Sequence, residues 1–363
     1  MGIVEQIEAI KAEQAITQKN KATNYHMGRL KARLAALESQ LLSEQSKTGP
    51  KGQGFEVQKV GQARAAMIGF PSTGKSSLLC ALTNSKSVVA AYEFTTLTCI
   101  PGQMFYNNAQ VQILDLPGII SGAADNKGKG KQVIATARTA DLIIVMLDAL
   151  RAEQERKQLE KELFDMGIRL NQQRPNVEIV RQKTGGVKVN FTVNQSNLTY
   201  DTVKAIMQEF KYHNCDIFIR DDISTDQLVD VICGSRVYAK AIYVVNKIDM
   251  ISVEAVNYFA NQGYIPISVS QELGLAYLKQ KIWENLEICR IYTRKRGEHP
   301  DLTDAIFMKK GDTVQDVCGA IHKELVQGLQ YGQVWGRSVN FQGQRVSNDH
   351  VVQDGDVVQI VVK

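Results

Sequence analysis

Eight consecutive residues limit what this chain can fold into more than any others: Gly69-Phe70-Pro71-Ser72-Thr73-Gly74-Lys75-Ser76. They lie between the apolar run Ala65-Ala66-Met67-Ile68 and Ser77-Leu78-Leu79-Cys80-Ala81-Leu82. The order is G-x-x-x-x-G-K-S between an expected strand and an expected helix, an arrangement that wraps a phosphate chain. Backbone N–H groups reach phosphate oxygens only where no side chain stands in the way, and Gly69 and Gly74 supply that room. A helix beginning near Lys75 directs its N-terminal donors and dipole at the same anion. Lys75 is expected to reach the β- and γ-phosphates and the Ser76 hydroxyl to meet Mg²⁺. Pro71, Ser72, Thr73 and Ser77 complete the expected nucleotide contacts of this loop.

Three further stretches belong to the same chemistry. Val111-Gln112-Ile113-Leu114 leads into Asp115-Leu116-Pro117-Gly118, a strand ending in D-x-x-G. Asp115 is expected to hold Mg²⁺ through water, and the Gly118 N–H to sense the γ-phosphate. Tyr92-Glu93-Phe94-Thr95-Thr96-Leu97-Thr98 falls where a switch threonine belongs. Thr96 is chosen as the residue that meets Mg²⁺ and the γ-phosphate, Thr95 is its alternative, and Phe94 stands beside the nucleotide. Ala241-Ile242-Tyr243-Val244-Val245 delivers Asn246-Lys247-Ile248-Asp249, an N-K-x-D motif. The Asp249 carboxylate can accept both the N1–H and the exocyclic amine of guanine, and adenine would leave it unpaired. Asn246 is expected to brace the site, Lys247 to lie along the base, and the backbone of Ser268, Val269 and Ser270 to meet guanine O6. Together these make GTP and GDP, with Mg²⁺, the expected ligands, and Lys75, Thr96 and Gly118 the groups closest to the transferring phosphoryl. Where a glutamine would orient an attacking water, immediately after Gly118, this chain has Ile119, which cannot do so.

The rest of the chain bounds the class and the layout. At 363 residues with 44% apolar and 22% charged, it has the composition of a multidomain globular protein. No run is long and apolar enough for a membrane span, the N-terminus lacks the apolar core of a signal peptide, and a cytoplasmic protein is expected. Six cysteines show no C-x-x-C or zinc spacing and are read as reduced thiols. A net charge of +5 permits RNA contact and gives no reason to expect DNA or membrane.

The expected fold class is α/β: a P-loop domain, mostly parallel sheet with helices on both faces, carrying additional modules. Residues 1–46 read as a helical hairpin, with Lys19, Lys21, Arg29, Lys31 and Arg33 clustered, either an RNA-facing surface or an ordinary solvated face. Residues 47–62 read as a linker and 63–173 as the first part of the nucleotide domain. Asp148 and Asn246, each closing a strand, are 98 positions apart, far more than a βαβ step needs, so an α+β insertion is expected at 174–238. That segment balances eight basic against eight acidic residues. The nucleotide domain resumes at 239–290. Residues 291–363 read as a β-grasp with strands near Val339 and Val346, a capping box at Thr313, a helix to about Leu325, and Trp335 either in its core, the favoured reading, or an exposed aromatic anchor.

With these pieces in view the chain resembles the developmentally regulated GTP-binding proteins, in the Obg-related class of translation-factor GTPases. The likeness spans the full length. It rests on Thr17-Gln18-Lys19-Asn20-Lys21-Ala22-Thr23, the phosphate loop, Tyr92 to Thr98, Asp115 to Ile120, Gly167-Ile168-Arg169-Leu170-Asn171, Asn246 to Asp249, and Thr303-Asp304-Ala305-Ile306 with Val334-Trp335-Gly336. The resemblance implies a GTPase with an N-terminal hairpin, an interrupted G domain and a C-terminal TGS domain. It also implies association with ribosomes and ribosomal RNA, and a zinc-finger regulatory protein as partner. An aliphatic residue in place of the catalytic glutamine is a trait of such GTPases. Hydrolysis is then expected to draw on other groups, on a monovalent cation such as K⁺, or on a partner. Ser72 stands where potassium-coordinating relatives carry asparagine.

Overall fold

The computed structural model describes residues 3–18, 23–48, 61–83, 100–116, 136–234, 236–295, 297–303, 305–322 and 324–362. They form two compact units: residues 1–55 with 167–238, and residues 56–166 with 239–363.

In chain order the first unit holds helices α1 (Ile3–Ile16) and α2 (Asn24–Thr48). The second opens with β1 (Ala63–Gly69), α3 (Lys75–Thr83), β2 (Ile100–Tyr106), β3 (Ala109–Asp115), β4 (Leu142–Asp148) and α4 (Ala152–Asp165). The chain then returns to the first unit for β5 (Ile168–Leu170), β6 (Val177–Arg181), β7 (Val187–Phe191), α5 (Tyr200–Glu209), β8 (Cys215–Ile219), α6 (Thr225–Cys233) and β9 (Val237–Ala239). The second unit resumes with β10 (Ala241–Asn246), α7 (Val253–Asn261), β11 (Ile265–Pro266) and α8 (Leu275–Leu286). It closes with β12 (Ile288–Thr293), β13 (Ala305–Lys309), α9 (Val314–Ile321), α10 (Leu325–Gly328), β14 (Leu329–Trp335), β15 (Gln344–Val346) and β16 (Val357–Val362).

The main sheet has the order β11-β10-β4-β1-β3-β2, parallel except for β2. Its central strands β1 and β4 are almost wholly buried and, apart from Arg64 and the closing Asp148, carry no charge, as a sheet covered on both faces requires. Alternate residues of β1 and β4, among them Met67, Leu142, Ile144 and Met146, share a core with Leu78 and Leu82 of α3 and Leu278 and Ile282 of α8. The intervening β4 residues Ile143, Val145 and Leu147 are equally buried and face the other way, where α4 packs with Leu159 and Leu163. β2 and β3 join through Asn107 and Asn108, both at positive φ (50° and 64°), the backbone a two-residue hairpin turn needs.

The C-terminal sheet, β13-β12-β16-β14-β15, wraps one side of α9. The capping box forms: Thr313 Oγ1 accepts from the Asp316 N–H, and the Asp316 carboxylate accepts from the Thr313 N–H at 2.8 Å. Three details depart from the sequence reading. The helix stops at Ile321, with His322 extended (φ −160°, ψ 129°). The strand expected near Val339 is a run of bends, and the strand is β14 instead. Gly332 lies in its middle because a Cβ there would stand 2.8 Å from Val314 Cγ1, so the absent side chain is what lets α9 approach. Trp335 is half-buried at the end of β14, with the Arg294 guanidinium 4.8 Å from its ring centroid.

In the other unit, β6-β8-β7 form a small sheet, and α2 lies against α5 and α6. Ala32 and Ala35 of α2 enter the same core as Val203, Ile206 and Ile217. A Cβ on Gly28 would already touch Thr202 at 3.0 Å. Of the basic cluster, Arg29 pairs with Glu209 at 2.8 Å and Lys31 with Asp226 at 2.7 Å, so both charges are engaged within the unit. Where the chain enters and leaves, β5 pairs with β9. There the Arg169 guanidinium donates to both Asp230 oxygens (2.6 and 2.9 Å), and Arg236 Nε donates to Oδ1 at 3.0 Å.

Among the described residues no helix is long and apolar enough to cross a membrane, and Cys80, Cys215, Cys233, Cys289 and Cys318 are free thiols.

Arg169 and Asp230 are only 3% and 4% exposed. Removing one partner strands the other charge, so Asp230→Ala should destabilise the protein by about 3–5 kcal/mol. Urea unfolding followed by circular dichroism will measure it, and a change below about 1 kcal/mol would mean that water reaches the site.

Candidate nucleotide-binding site

β1, β3, β4 and β10 are mutually parallel, so their carboxyl ends share one edge of the sheet and the loops that follow them converge there. The first of these loops joins Gly69 to Lys75. Ser72 turns with φ 65° and is exposed, and Gly74 has φ 93°. Both glycines are dictated by close approach: a Cβ on Gly69 would lie 2.5 Å from the Met146 carbonyl oxygen, and one on Gly74 would lie 2.5 Å from Asn246 Nδ2. Thr73 Oγ1 donates to the Phe70 carbonyl at 2.9 Å, tightening the loop. Lys75 Nζ donates to the carbonyls of Gly69 (3.0 Å) and Phe70 (2.8 Å). Burial pushes the Lys75 pKa down, against the opposing pull of Asp115 and Glu155. A partly desolvated ammonium at a helix N-terminus is a cation suited to an incoming polyanion.

Asp115 ends β3 and is 1% exposed. Its Oδ2 accepts from Ser76 Oγ at 2.9 Å, and its Oδ1 is buried with no hydrogen-bond partner among the described residues. An orphaned carboxylate oxygen beside a hydroxyl carries a desolvation cost of about 1–3 kcal/mol. A hydrated hard cation relieves it, so this oxygen-only donor pair fits Mg²⁺.

The second half of the site follows β10. Asn246 is 3% exposed, and its amide is used at both ends: Nδ2 donates to the Thr73 carbonyl at 2.8 Å, and Oδ1 accepts from the Val269 N–H at 3.1 Å. Lys247 is left-handed (φ 66°), and its Nζ donates to Asp148 Oδ2 at 2.6 Å. Asp249 lies in the short 3₁₀ turn Ile248–Met250, and its Oδ1 accepts from Ser268 Oγ at 2.5 Å. In the facing loop the Ser268 N–H donates to the Leu273 carbonyl and the Val269 N–H to Asn246, leaving the Ser270 N–H with no such acceptor among the described residues.

Of the residues expected from the sequence, the structure brings together Gly69, Pro71, Ser72, Thr73, Gly74, Lys75, Ser76 and Ser77 with Asp115, and Asn246, Lys247 and Asp249 with Ser268, Val269 and Ser270. Phe94, Thr95, Thr96, Gly118 and Ile119 lie outside the described residues. Asp148 was missed. The sequence shows only that it closes an apolar strand; its pairing in register with Asn246 emerges from the fold. Burial pushes its carboxyl up, but the Lys247 ammonium and the Leu150 N–H outweigh that and hold it below the usual range.

A phosphate loop tied through one asparagine to a base-selecting loop defines a P-loop guanine-nucleotide protein. Three family models match the chain: "50S ribosome-binding GTPase" over residues 64–183, the C-terminal region of that domain over 184–288, and the TGS domain over 289–362. Developmentally-regulated GTP-binding protein 2 of Homo sapiens is 50% identical over 364 residues, covering 100% of both chains. GTP-binding protein 1 of Schizosaccharomyces pombe is 49% identical over the same span and coverage. Among solved structures, the Schizosaccharomyces pombe YchF GTPase is 14% identical, covers 84% of this chain and 99% of that chain, and has a TM-score of 0.43. The chain belongs to the developmentally-regulated GTP-binding protein family.

Gly74→Ala should abolish tight nucleotide binding while leaving most of the fold intact, because the methyl group displaces Asn246 and the positive φ adds about 1–3 kcal/mol of strain. Titration with a fluorescent GDP analogue, alongside a thermal melt, tests this. An affinity within about threefold of the parent, roughly 0.65 kcal/mol, would show that the loop tolerates the intrusion.

Proposed function

We propose that this chain binds GTP with Mg²⁺, hydrolyses it to GDP and phosphate, and serves as a slow nucleotide switch on ribosomes in the cytoplasm. The observation that carries the reading is the Asn246 amide, hydrogen-bonded at once to the phosphate loop and to the base loop. It makes a single ligand long enough to touch both the natural occupant.

Each residue then has a task. The Asp249 carboxylate accepts guanine N1–H and the 2-amine, and adenine would leave it desolvated and unpaired. The Ser270 N–H meets O6, with Ser268 and Val269 shaping that loop, and the Lys247 stem lies along the base. Lys75 leaves its loop carbonyls for the β- and γ-phosphates. Ser76, Thr96 and Asp115 would hold Mg²⁺, which neutralises charge on the bridging phosphates when bound. The Gly118 N–H reports the γ-phosphate. Ile119 offers nothing to the attacking water, so other groups, K⁺ or a ribosomal contact completes the site.

Ribosome association is supported by the match of residues 64–183 to a ribosome-binding GTPase family and by the full-length family likeness. Ribosomal RNA and a zinc-finger regulatory protein are the proposed partners, with the TGS domain as a docking module. Ile119 favours a second reading, a ribosome-bound scaffold for which GTP is chiefly a structural ligand.

Asp249→Asn should exchange GTP preference for xanthosine triphosphate, because N1–H pairing survives while the amide NH₂ now opposes the guanine amine. Competition binding reads this directly, and retained GTP selectivity would refute the base assignment. Single-turnover hydrolysis with K⁺ or Na⁺, with and without ribosomes, separates switch from scaffold. Acceleration by either, abolished in Lys75→Ala, is expected, whereas tight binding without turnover under all conditions would favour the scaffold.

A further inference from the structure

Asp148 is not part of the N-K-x-D or phosphate-loop motifs, yet the fold invests several interactions in holding it. β4 and β10 are parallel neighbours in the register that sets Asp148 opposite Asn246. Its Oδ1 accepts from the Leu150 N–H at 3.0 Å, which folds the turn back on the side chain. Its own N–H donates to Glu155 Oε2 at 2.9 Å, and the next N–H, of Ala149, donates to the Asn246 carbonyl at 3.0 Å. The remaining oxygen, Oδ2, faces Lys247 and takes its ammonium at 2.6 Å. The lysine side chain is 35% exposed and the aspartate 17%, so the pair is neither dry nor freely solvated.

We propose that Asp148 is a positioning residue which, by anchoring the Lys247 ammonium, sets how long a guanine nucleotide stays bound. The inference rests on the reading of Lys247 as the residue lying along the base. A lysine stem tethered only at Cα samples many rotamers, and ordering it against a ligand costs side-chain entropy. Tethered at both ends, the four-carbon stem is already laid out, so that cost is met before the nucleotide arrives and is not recovered when it leaves. The left-handed backbone at Lys247 is part of the same arrangement, aiming the stem back towards β4.

The test is the dissociation rate of a fluorescent GDP analogue from the full-length protein. Asp148→Ala should raise it about tenfold, the size of one lost charge-assisted hydrogen bond. Asp148→Asn, which keeps one of the two acceptors and places an NH₂ at the other, should raise it less. Lys247→Met should raise it as well, and Asp148→Ala added to Lys247→Met should change nothing further, because the aspartate has lost what it acts through. The GDP-to-ADP affinity ratio, governed by Asp249, should hold through the series, and thermal melts confirm the fold. An unchanged rate in Asp148→Ala, or additive effects in the double variant, overturns the inference and leaves Asp148 a turn residue. Absence of guanine preference in the unaltered protein overturns the nucleotide reading itself, and this inference with it.

Discussion

The Asn246 side chain is the interaction on which the rest of the nucleotide domain's geometry depends. One primary amide has a donor and an acceptor at a fixed separation, and here each end is spent on a different loop: Thr73 on the phosphate side, Val269 on the base side. The arrangement works only because the residue packed against the amide is glycine, with Gly74 at a positive φ and its missing Cβ where Nδ2 now lies. The second glycine of the phosphate loop therefore has two duties. It opens the loop to an anion, and it admits the side chain that couples that loop to the base motif. Both loops sit at the carboxyl edge of parallel strands, so the coupling is inherited from sheet topology and needs no flexible element to bring it about.

Charge is distributed in the same economical way. Lys75 and Lys247 are both half-committed in the protein alone, one to loop carbonyls and one to Asp148. Asp115 is half-satisfied, with one oxygen on Ser76 and the other on nothing among the described residues. The cations are thus held in place without being fully neutralised, and the spare Asp115 oxygen belongs to the carboxylate beside the hydroxyl that would share a cation with it. Preorganisation of this kind costs stability locally and lowers the reorganisation needed on binding.

The parts of the site that the sequence singles out, and that the fold then brings together, are those where one residue type in one place answers a local demand. Gly69, Gly74, Lys75, Ser76, Asp115, Asn246 and Asp249 fall into this class, because loop sterics and hydrogen-bond inventory leave few alternatives. What escaped depends on residues distant in sequence. Asp148 gains its role only once β4 and β10 are known to be neighbours in a particular register. β14 hid behind Gly332, which argues against a strand until α9 is seen packed where its side chain would have been. Arg29 and Lys31 belong to a five-residue basic cluster that reads equally well as an RNA-facing surface or an ordinary solvated face. Their partners, Glu209 and Asp226, lie more than 170 positions further along the chain, and no local pattern could have linked them. The switch threonine and Gly118 lie outside the described residues, so for them the sequence remains the only argument.

The same distance effect explains how a long insertion can separate two strands that must lie side by side. β4 and β10 are adjacent and share the register that aligns Asp148 with Asn246, although residues 167–238 of the other unit intervene. A disordered excursion of that length would charge its loop-closure entropy against the pairing. Here the excursion is closed at its own base. The Val237 N–H donates to the Gly167 carbonyl at 3.0 Å, β5 pairs with β9, and Asp230 is gripped by Arg169 and Arg236 from the two sides of the neck. Gly167 is required at this point by its φ of 86° and by the Arg236 guanidinium, which would lie 2.7 Å from a Cβ. Closure is therefore supplied by the inserted unit's own interactions. As far as the sheet is concerned, β4 and β10 are joined by a short, pinned connection, and the carboxylate and the amide at their ends are delivered to the same edge.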